Sequence, residues 1–401
     1  MIKASTGTNS TLRLLELLIF LLSIGEGLTA PAIPLLGQKL GASYSYIGFF
    51  MTGYAFAYAL MTIIAGRLSD HLGRKRLLLF STAVAMSATA GYYFASNAWL
   101  LMLFRALEGM SRGIFWPVAG ALLADNTTSA DSNLAAGRFS AAYGTGVALG
   151  NLWGGYLMQY VDLKAVFPFY PFLSLAAFFL VSWFLNENKV AQQAAYHKRL
   201  KTGSIAWQEI KRIWPICFVG FAYSGFLYSL SGLLSLVAVH YNVSYLGIGV
   251  IFALFWCCRL IAFVGAGWSA GRIGCKPVLL AGIALAALAA AMFLMARQFW
   301  LIAAAAVLGG IGTGIMYPLT VALIADSASP SYRGFDMGFM ELTAALGMII
   351  QTALAGILGQ LGGVQITYLF ALVVCLIAIV ITALFVNDNF IQTDGGQHSL
   401  G

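Results

Sequence analysis

The sequence contains few charged residues. Only 9% of its 401 residues are Asp, Glu, Lys or Arg, whereas 60% are hydrophobic. A typical soluble domain is about 25% charged, and it rarely exposes a large continuous apolar patch. A globule with the present composition would carry such a patch over its whole surface. The composition therefore excludes a soluble protein and predicts a chain whose solvent is lipid.

Signatures of metal, nucleotide and covalent chemistry are also absent from the sequence. The five cysteines lie in or beside apolar runs, without the spacing of a zinc site or a disulfide framework. No Gly-x-x-x-x-Gly-Lys-Ser/Thr loop is present, so ATP hydrolysis is not the expected energy source. No nucleophile elbow occurs either. We therefore expect no metal and no cofactor, and no catalytic constellation supports an integral-membrane enzyme.

Long apolar runs make up most of the chain. A bilayer core requires about 20 apolar residues per helix, with about 17–25 as the usual range. Backbone polar groups in lipid must be bonded internally, which excludes open β structure. The sequence therefore predicts an all-α membrane protein with twelve spans, approximately at residues 14–36, 44–66, 76–96, 98–124, 136–160, 164–185, 213–240, 244–269, 277–297, 299–325, 333–360 and 364–386.

The basic residues predict the orientation of the chain. With the N-terminus in the cytoplasm, sixteen Lys and Arg residues fall in cytoplasmic segments and three fall outside, namely Lys39, Lys164 and Arg297. Cytoplasmic loops of membrane proteins carry this excess of positive charge. We therefore predict a multi-pass protein of the cell inner membrane with both termini cytoplasmic. The basic residues in cytoplasmic loops also account for the formal net charge of +8. Nucleic-acid-binding domains differ in that they cluster their positive charge on one face.

The chain divides into two similar halves around its longest polar stretch. We predict an N-terminal six-helix bundle over residues 1–185, a cytoplasmic linker over 186–212 and a C-terminal six-helix bundle over 213–401. The segment GIFWP ends at Pro117 and its counterpart GIMYP ends at Pro318, a separation of 318 − 117 = 201 residues. Three further pairs share that separation: Asp125 and Asp326, Gly66 and Gly267, and Gly73 and Gly274. Two six-helix repeats around a central site are expected of a secondary transporter.

The segment GRLSDHLGRKR, residues 66–76, lies between the second and third predicted spans. It resembles the loop signature of the major facilitator superfamily called motif A, and the resemblance to that family extends over about residues 12–386. In the family, the Asp of this motif lies at the N-terminus of the eleventh helix, where the helix dipole favours a carboxylate. The resemblance implies a latch that closes the cytoplasmic side, formed by Gly66, Asp70, Gly73, Arg74 and Asp125. The alternative is that the basic residues here only follow the positive-inside rule.

Charged residues within predicted spans are the candidates for proton coupling. Arg105, Glu108 and Arg112 share one face of the fourth helix, and Glu26 lies between two glycines in the first helix. Charges at this depth are costly and usually mark ion or substrate pathways. The fourth helix resembles motif B of the superfamily, and the first resembles that of drug:proton antiporters, which implies a role for all four residues in proton coupling. Structural ion pairs are the alternative, including a fixed salt bridge from Glu26 to Arg105 or Arg112.

Glycines recur every four residues in the fifth predicted helix, within the segment GTGVALGNLWGG from Gly144 to Gly155. Small residues at this spacing let helices pack closely in lipid. The segment resembles motif C, which marks antiporters within the superfamily, except that Asn151 replaces the usual proline. The departure weakens the implied helix kink and leaves the Asn151 side chain available to bind a substrate.

A substrate cavity is expected between the two halves. Its candidate residues are aromatic, polar or charged: Tyr54, Tyr143, Asn151, Tyr223, Trp256, Arg259 and Glu341. Arg259 on the eighth helix and Glu341 on the eleventh both lie within predicted spans. They either pair with each other or one of them contacts the substrate.

Two functions are compatible with these features. The first is proton-coupled export of small lipophilic compounds by alternating access, which Glu26 and the motif C-like glycines favour. The second is symport or exchange of a polar or anionic metabolite, such as a sugar or organic acid, which Arg259, Arg112 and Asn151 favour. A sensor or scaffold that moves nothing has no reason to bear intramembrane charges. The expected partners are a small-molecule substrate, protons and the lipid bilayer, without nucleic acid, and the chain is expected to act as a monomer.

Overall fold

The chain folds into a bundle of long helices. The computed structural model describes residues 4–127, 131–185, 207–327 and 333–386. Within these ranges the regular structure consists of thirteen α-helices and two short 3-10 turns. The α-helices are α1 (Ala4–Thr29), α2 (Ala32–Lys39), α3 (Tyr44–Leu72), α4 (Arg74–Phe94), α5 (Ala98–Asp125), α6 (Ser132–Tyr160), α7 (Phe169–Phe184), α8 (Trp207–His240), α9 (Tyr245–Ile273), α10 (Cys275–Met295), α11 (Phe299–Ser327), α12 (Arg333–Gly362) and α13 (Leu369–Phe385).

Twelve membrane spans account for these helices. Ten segments of the described chain have the length and hydropathy of a span, and α1 and α2 together form the first of them, Ser10–Lys39. The other two long helices, α5 and α6, have 28 and 29 residues. At 1.5 Å per residue they are about 40 Å long, which is enough to cross a hydrocarbon core of about 30 Å. The predicted all-α membrane fold with twelve spans is confirmed.

The internal repeat of the sequence is also present in the backbone. Gly73 separates α3 from α4 with φ 90° and ψ 149°, and Gly274 separates α9 from α10 with φ 95° and ψ 155°. A residue with a side chain rarely adopts such a positive φ, so both turns require glycine. The two halves therefore make the same tight turn at positions that are 201 residues apart.

Glycines bring α6 against α1. A Cβ added to Gly150 would lie 2.2 Å from the carbonyl oxygen of Ile24, and one added to Gly154 would lie 2.7 Å from that of Leu28. These distances leave no room for a side chain, so the glycine spacing is what allows the two helices to approach. The contact holds Glu26, which follows Ile24 by two residues, next to α6.

The two halves meet at two glycine crossings. Where α3 crosses α12, a Cβ added to Gly48 would lie 2.9 Å from Cα of Gly356. Where α6 crosses α9, a Cβ added to Gly155 would lie 2.8 Å from Cα of Gly249. The repeat relates the two crossings, because 249 − 48 and 356 − 155 both equal 201. They bring the halves together at the end of the bundle opposite Gly73, which we call the closed end.

A pair of glutamine side chains links the halves at the closed end. The backbone N–H of Tyr44, the first residue of α3, donates to Oε1 of Gln360 in α12 at 3.1 Å. The backbone N–H of Tyr245, the first residue of α9, donates to Oε1 of Gln159 in α6 at 3.0 Å. The first N–H groups of a helix have no partner within it, so an acceptor from another helix is stabilising. Each glutamine therefore caps a helix of the opposite half.

The halves diverge toward the other end, which carries Arg74 and which we call the basic end. Gly267 and Gly271 follow Gly249 by 18 and 22 residues, which are about five and six helical turns, so they lie on nearly the same face of α9. Among the residues that the structure describes, a Cβ added to either glycine would meet no atom within 4 Å, and the same is true at Gly338 on α12. The interface that is tight at the closed end is therefore open at the basic end.

The predicted linker lies mostly outside the described residues, which resume at Trp207. Its last residues, 207–212, form the first turns of α8, so this helix begins six residues before the predicted boundary at 213. Hydropathy marks only where a helix enters the apolar core, whereas α8 also includes polar residues such as Lys211 and Arg212.

Removal of the two glutamine caps is expected to open the closed end. The loss of a helix cap costs about 0.5–2 kcal/mol, so Gln159→Ala with Gln360→Ala would shift the ratio of open to closed molecules by roughly tenfold or more. Electron-spin distances between labels at Tyr160 and His240, in a background without native cysteines, measure this ratio. Gln298→Ala, an exposed glutamine between α10 and α11, is the matched control. A double variant with the distances of the control would contradict the capping role.

Candidate functional site

A cavity of about 450 Å³ lies between the two halves, within the range of about 300–1,000 Å³ that small-molecule sites occupy. Six of the seven predicted cavity residues line it: Tyr54, Tyr143, Tyr223, Trp256, Arg259 and Glu341. Glu26 lines it as well. The lining is rich in aromatic rings, with charges contributed by Glu26, Arg259 and Glu341.

Several aromatic residues that line the cavity were not singled out from the sequence: Tyr58, Trp116, Tyr228, Phe263 and Tyr317. Two signals were available for some of them. Tyr58 follows Tyr54 by four residues and therefore shares its helix face. Trp116 and Tyr317 are counterparts in the internal repeat, because 317 − 116 equals 201. The repeat therefore identifies cavity residues that composition alone does not distinguish from packing residues.

The structure places Asn151 outside the cavity lining, which corrects the prediction made from the sequence. The side chain is buried, and its Nδ2 donates to the backbone oxygen of Val147 at 2.8 Å. The backbone oxygen of Asn151 lies 2.5 Å from a Cβ added to Gly249, at the crossing of α6 and α9. Asn151 therefore belongs to the closed interface between the halves. Its side-chain amide bonds to its own helix, because Val147 lies one turn earlier on α6.

Glu26 and Arg112 form an ion pair at the cavity surface. Nη2 of Arg112 lies 2.6 Å from Oε2 of Glu26, and it also donates to the hydroxyl of Tyr170 at 2.9 Å and to the carbonyl oxygen of Leu22 at 3.1 Å. The hydroxyl of Tyr143 donates to the other carboxylate oxygen of Glu26 at 3.2 Å. The Arg112 side chain is 3% exposed and that of Glu26 is 19% exposed. The carboxylate of Glu26 is therefore accessible from the cavity, whereas the guanidinium of Arg112 is buried.

A glycine beside Glu26 makes this arrangement possible. A Cβ added to Gly25 would lie 2.1 Å from the ring of Tyr170. Glycine at this position lets the ring pack against α1, which brings its hydroxyl within hydrogen-bond distance of Arg112. The sequence showed that two glycines leave room around Glu26, and the structure shows what occupies part of that room.

Arg105 and Glu108 form a second ion pair, which is buried away from the cavity. Nη1 of Arg105 lies 2.5 Å from Oε2 of Glu108, and the hydroxyl of Tyr92 donates to the same carboxylate. The guanidinium carbon lies 4.4 Å from the ring centroid of Tyr54, which itself lines the cavity. Neither Arg105 nor Glu108 lines the cavity. The four residues predicted for proton coupling therefore form two separate ion pairs, of which only the Glu26–Arg112 pair reaches the cavity.

Arg259 and Glu341 line the cavity without pairing with each other. Nη2 of Arg259 donates to the hydroxyl of Tyr223 at 2.5 Å, and the guanidinium lies 4.8 Å from the ring centroid of Trp256. Within the described part of the chain, Glu341 has neither an ion pair nor a hydrogen bond through its side chain. Of the two alternatives left by the sequence, direct pairing is therefore not the one adopted in this structure.

The predicted latch is described only in part. Arg74, which follows Gly73, is 5% exposed and forms an ion pair with Asp125. The backbones of Gly66 and Asp70 belong to α3, but the surroundings of these two residues lie outside what the structure describes. The structure therefore shows an ion pair between the buried Arg74 and the more exposed Asp125 at the basic end, while the role of Asp70 stays a prediction.

Comparison with known proteins identifies a family match along most of the chain. The model of the Major Facilitator Superfamily matches residues 15–261 and 216–395. An uncharacterized MFS-type transporter of Methanocaldococcus jannaschii is 24% identical over 377 residues, which are 91% of this chain and 95% of that protein. The quinolone resistance protein NorA of Staphylococcus aureus is 30% identical over 185 residues, which are 45% of this chain and 46% of NorA.

Two solved structures share the fold. A variant of the nucleoside transporter NupG superimposes with a TM-score of 0.75 at 12% identity, over 94% of this chain and all of that chain (100%). The human organic anion transporter MFSD10 superimposes with a TM-score of 0.68 at 16% identity, over 94% of this chain and 99% of that chain. At these identities the likeness establishes the architecture.

Disruption of the buried Arg105–Glu108 pair is expected to destabilise the protein strongly. Glu108→Gln leaves the Arg105 charge buried, and breaking a buried pair from one side costs about 3–5 kcal/mol. Thermal unfolding of the purified protein in detergent measures the effect. Glu16→Gln, which breaks the exposed Arg138–Glu16 pair, is the control and is expected to cost about 0–1 kcal/mol. Equal losses of stability in the two variants would contradict the structural role of the buried pair.

Proposed function

The chain belongs to the Major Facilitator Superfamily, and we propose that it is a secondary active transporter that exports small lipophilic compounds in exchange for protons. The observation that carries this proposal is the ion pair of Glu26 and Arg112 at the surface of the cavity. A carboxylate that faces a substrate cavity and has a buried counter-charge can be neutralised in two ways, by a proton or by that counter-charge.

The hydrogen bonds of Arg112 allow Glu26 to change its charge without loss of the local structure. When Glu26 takes up a proton, the ion pair weakens, but Arg112 keeps the Tyr170 hydroxyl and the Leu22 carbonyl oxygen as acceptors. The guanidinium therefore stays in place through the proton cycle. Because it remains charged at every working pH, it is available to pair with Glu26 again after the proton has left.

A chain of contacts links Glu26 to the second half of the bundle. Tyr143 on α6 donates to Glu26, and its ring lies 5.3 Å from the ring of Trp256 on α9 in an edge-to-face arrangement. Tyr143 and Trp256 both line the cavity. A compound that binds between the halves would displace or compress this contact, and it would thereby change the hydrogen bond to Glu26. Substrate and proton thus compete through one carboxylate.

The predicted orientation identifies the side of the membrane to which the cavity opens. If the basic end is cytoplasmic, as the distribution of Lys and Arg predicts, the cavity opens to the cytoplasm in this structure and both termini are cytoplasmic. An exporter loads its substrate and releases its proton in such an inward-facing state. The Arg74–Asp125 pair and Asp70 would then belong to the latch that closes the cytoplasmic side, in an inner-membrane protein that acts as a monomer.

Lipophilic compounds are the proposed substrates because the cavity is mainly aromatic and because NorA, which is named for quinolone resistance, aligns with 45% of this chain. The second candidate is a polar or anionic metabolite. Arg259 on the cavity wall favours it, and the fold neighbours are named for transport of nucleosides and of organic anions. The two candidate substrate classes differ in the charge of the compound that the cavity is expected to bind.

Substrate-induced proton release from everted vesicles tests the proposal. Lipophilic cations and neutral drugs added to acid-loaded vesicles are expected to discharge the proton gradient, as followed by a pH-sensitive dye, whereas Glu26→Gln abolishes this response. Glu16→Gln, a carboxylate on the same helix with an exposed partner, is expected to behave as wild type. A response to sugars or organic acids alone, or a response of Glu26→Gln equal to wild type, would overturn the proposal.

A further inference from the structure

We propose that the cavity selects amphoteric compounds, with a carboxylate or other anionic group bound by Arg259, a protonated amine bound by Glu341, and an aromatic body between them. This inference rests on the proposed transport function and specifies its substrate class. It starts from the observation that two opposite charges face one cavity and are not neutralised by each other.

The guanidinium of Arg259 can donate more hydrogen bonds than it forms in the described structure. Its partner is the neutral hydroxyl of Tyr223, and its Nε is buried without a hydrogen-bond partner in the described structure. Arginine stays charged under all conditions in which a transporter works, and its planar fork suits a carboxylate. A neutral phenol and two flanking rings do not balance this charge, so an anionic group of the ligand is the missing partner.

Glu341 is the negatively charged group for which a cationic group of the ligand is proposed as the partner. It lies on the α12 face that also carries Ala344, Ala345 and Met348, all of which line the cavity. The spacing of three, four and seven residues puts these positions on one side of the helix, and the two alanines leave space in front of the carboxylate. A carboxylate that lacks a counter-charge within a membrane is costly, and an ammonium group of the ligand would remove that cost.

In the internal repeat, Arg259 has an uncharged counterpart. A Cβ on Gly113 would lie 2.4 Å from the carbonyl oxygen of Tyr58, and one on Gly314 would lie 2.4 Å from that of Arg259. These equal contacts, 201 residues apart, make Tyr58 the counterpart of Arg259. The same helix crossing therefore forms with an uncharged residue in the first half.

Glu341 departs from the repeat in the same way. The contact of Gly146 with the Phe20 carbonyl oxygen, at 2.7 Å, is matched by that of Gly347 with the Phe221 carbonyl oxygen, at 2.2 Å. These pairs are 201 residues apart, and by this register the counterpart of Glu341 is Ser140, an uncharged residue that also lines the cavity. Both charges are thus additions of the second half to a cavity wall that packs without them, which favours a role in binding.

The cavity that carries the two charges is lined by aromatic rings that suit an apolar body. The rings of Tyr54 and Tyr228 lie 6.2 Å apart, and those of Tyr223 and Tyr317 lie 5.2 Å apart, all within the cavity lining. Aromatic rings at such distances provide stacking surfaces, and the volume of about 450 Å³ suits a drug-sized molecule. A simple cation would leave Arg259 unbalanced and a simple anion would leave Glu341 unbalanced, whereas an amphoteric ligand satisfies both.

A series of four quinolones with one ring system separates these possibilities. Ciprofloxacin carries a piperazine amine and a carboxylate, its methyl ester is a cation, its N-acetyl derivative is an anion, and the doubly blocked compound is neutral. Binding to the purified protein is followed by the fluorescence anisotropy of the quinolone. Wild type is expected to bind ciprofloxacin at least about tenfold more tightly than each of the other three, which corresponds to about 1.4 kcal/mol.

Two variants assign the charges. Arg259→Met is expected to bind ciprofloxacin and its methyl ester equally, and Glu341→Gln is expected to bind ciprofloxacin and its N-acetyl derivative equally. Arg259→Lys and Glu341→Asp, which keep the charges, retain a preference for the amphoteric compound. Arg138→Met, which removes an exposed arginine, is the matched control and keeps the wild-type pattern. These variants leave the Glu26–Arg112 pair intact.

Two outcomes would overturn the inference: equal binding of the four compounds by wild type, or equal weakening of all four by Arg259→Met and Glu341→Gln. This binding assay does not depend on proton exchange. If the charge pattern is found but the vesicles release no protons, the amphoteric site stands and proton antiport fails. If lipophilic cations release protons but the charge pattern is missing, antiport stands and the amphoteric site fails.

Discussion

A charge within the bilayer requires a counter-charge, and this constraint organises the whole structure. Arg105 and Glu108 satisfy it by a pair that is closed on all sides. Glu26 and Arg112 satisfy it at the cavity surface, where a proton can replace the counter-charge. Arg259 and Glu341 are left for a ligand to satisfy. In the function that we propose, the same physical cost thus stabilises the fold, couples it to protons and selects the substrate.

The glycines and the glutamine caps determine which end of the cavity is accessible. The backbones of the two halves touch at Gly48 and Gly356 and at Gly155 and Gly249, with no side chains between them. Such a contact is tight but involves few groups, so it can separate as a unit when the halves rock. The caps at Tyr44 and Tyr245 add two hydrogen bonds between the halves at the same end.

Much of the fold could be predicted from the sequence, because span length, loop charge and a repeat of 201 residues are each set by local composition. The twelve spans and the equivalence of Gly73 and Gly274 in the repeat are examples. The site was harder to predict. A tyrosine such as Tyr228 serves equally well in packing, at an interface or in a cavity, and the sequence does not distinguish these uses. The prediction for Asn151 was wrong because residues one helical turn apart can face either the cavity or the interface. The cap formed by Gln360 could not be predicted because it joins residues that are 316 positions apart in the sequence.

The central claim is that substrate and proton compete for Glu26, and proton release by the purified protein in weakly buffered detergent solution tests it most directly. The account predicts that addition of a binding compound releases protons from wild type and from Glu16→Gln, and that Glu26→Gln binds the compound without releasing protons. The account would be contradicted if the compound bound wild type without any proton release, or if Glu26→Gln released as many protons as wild type.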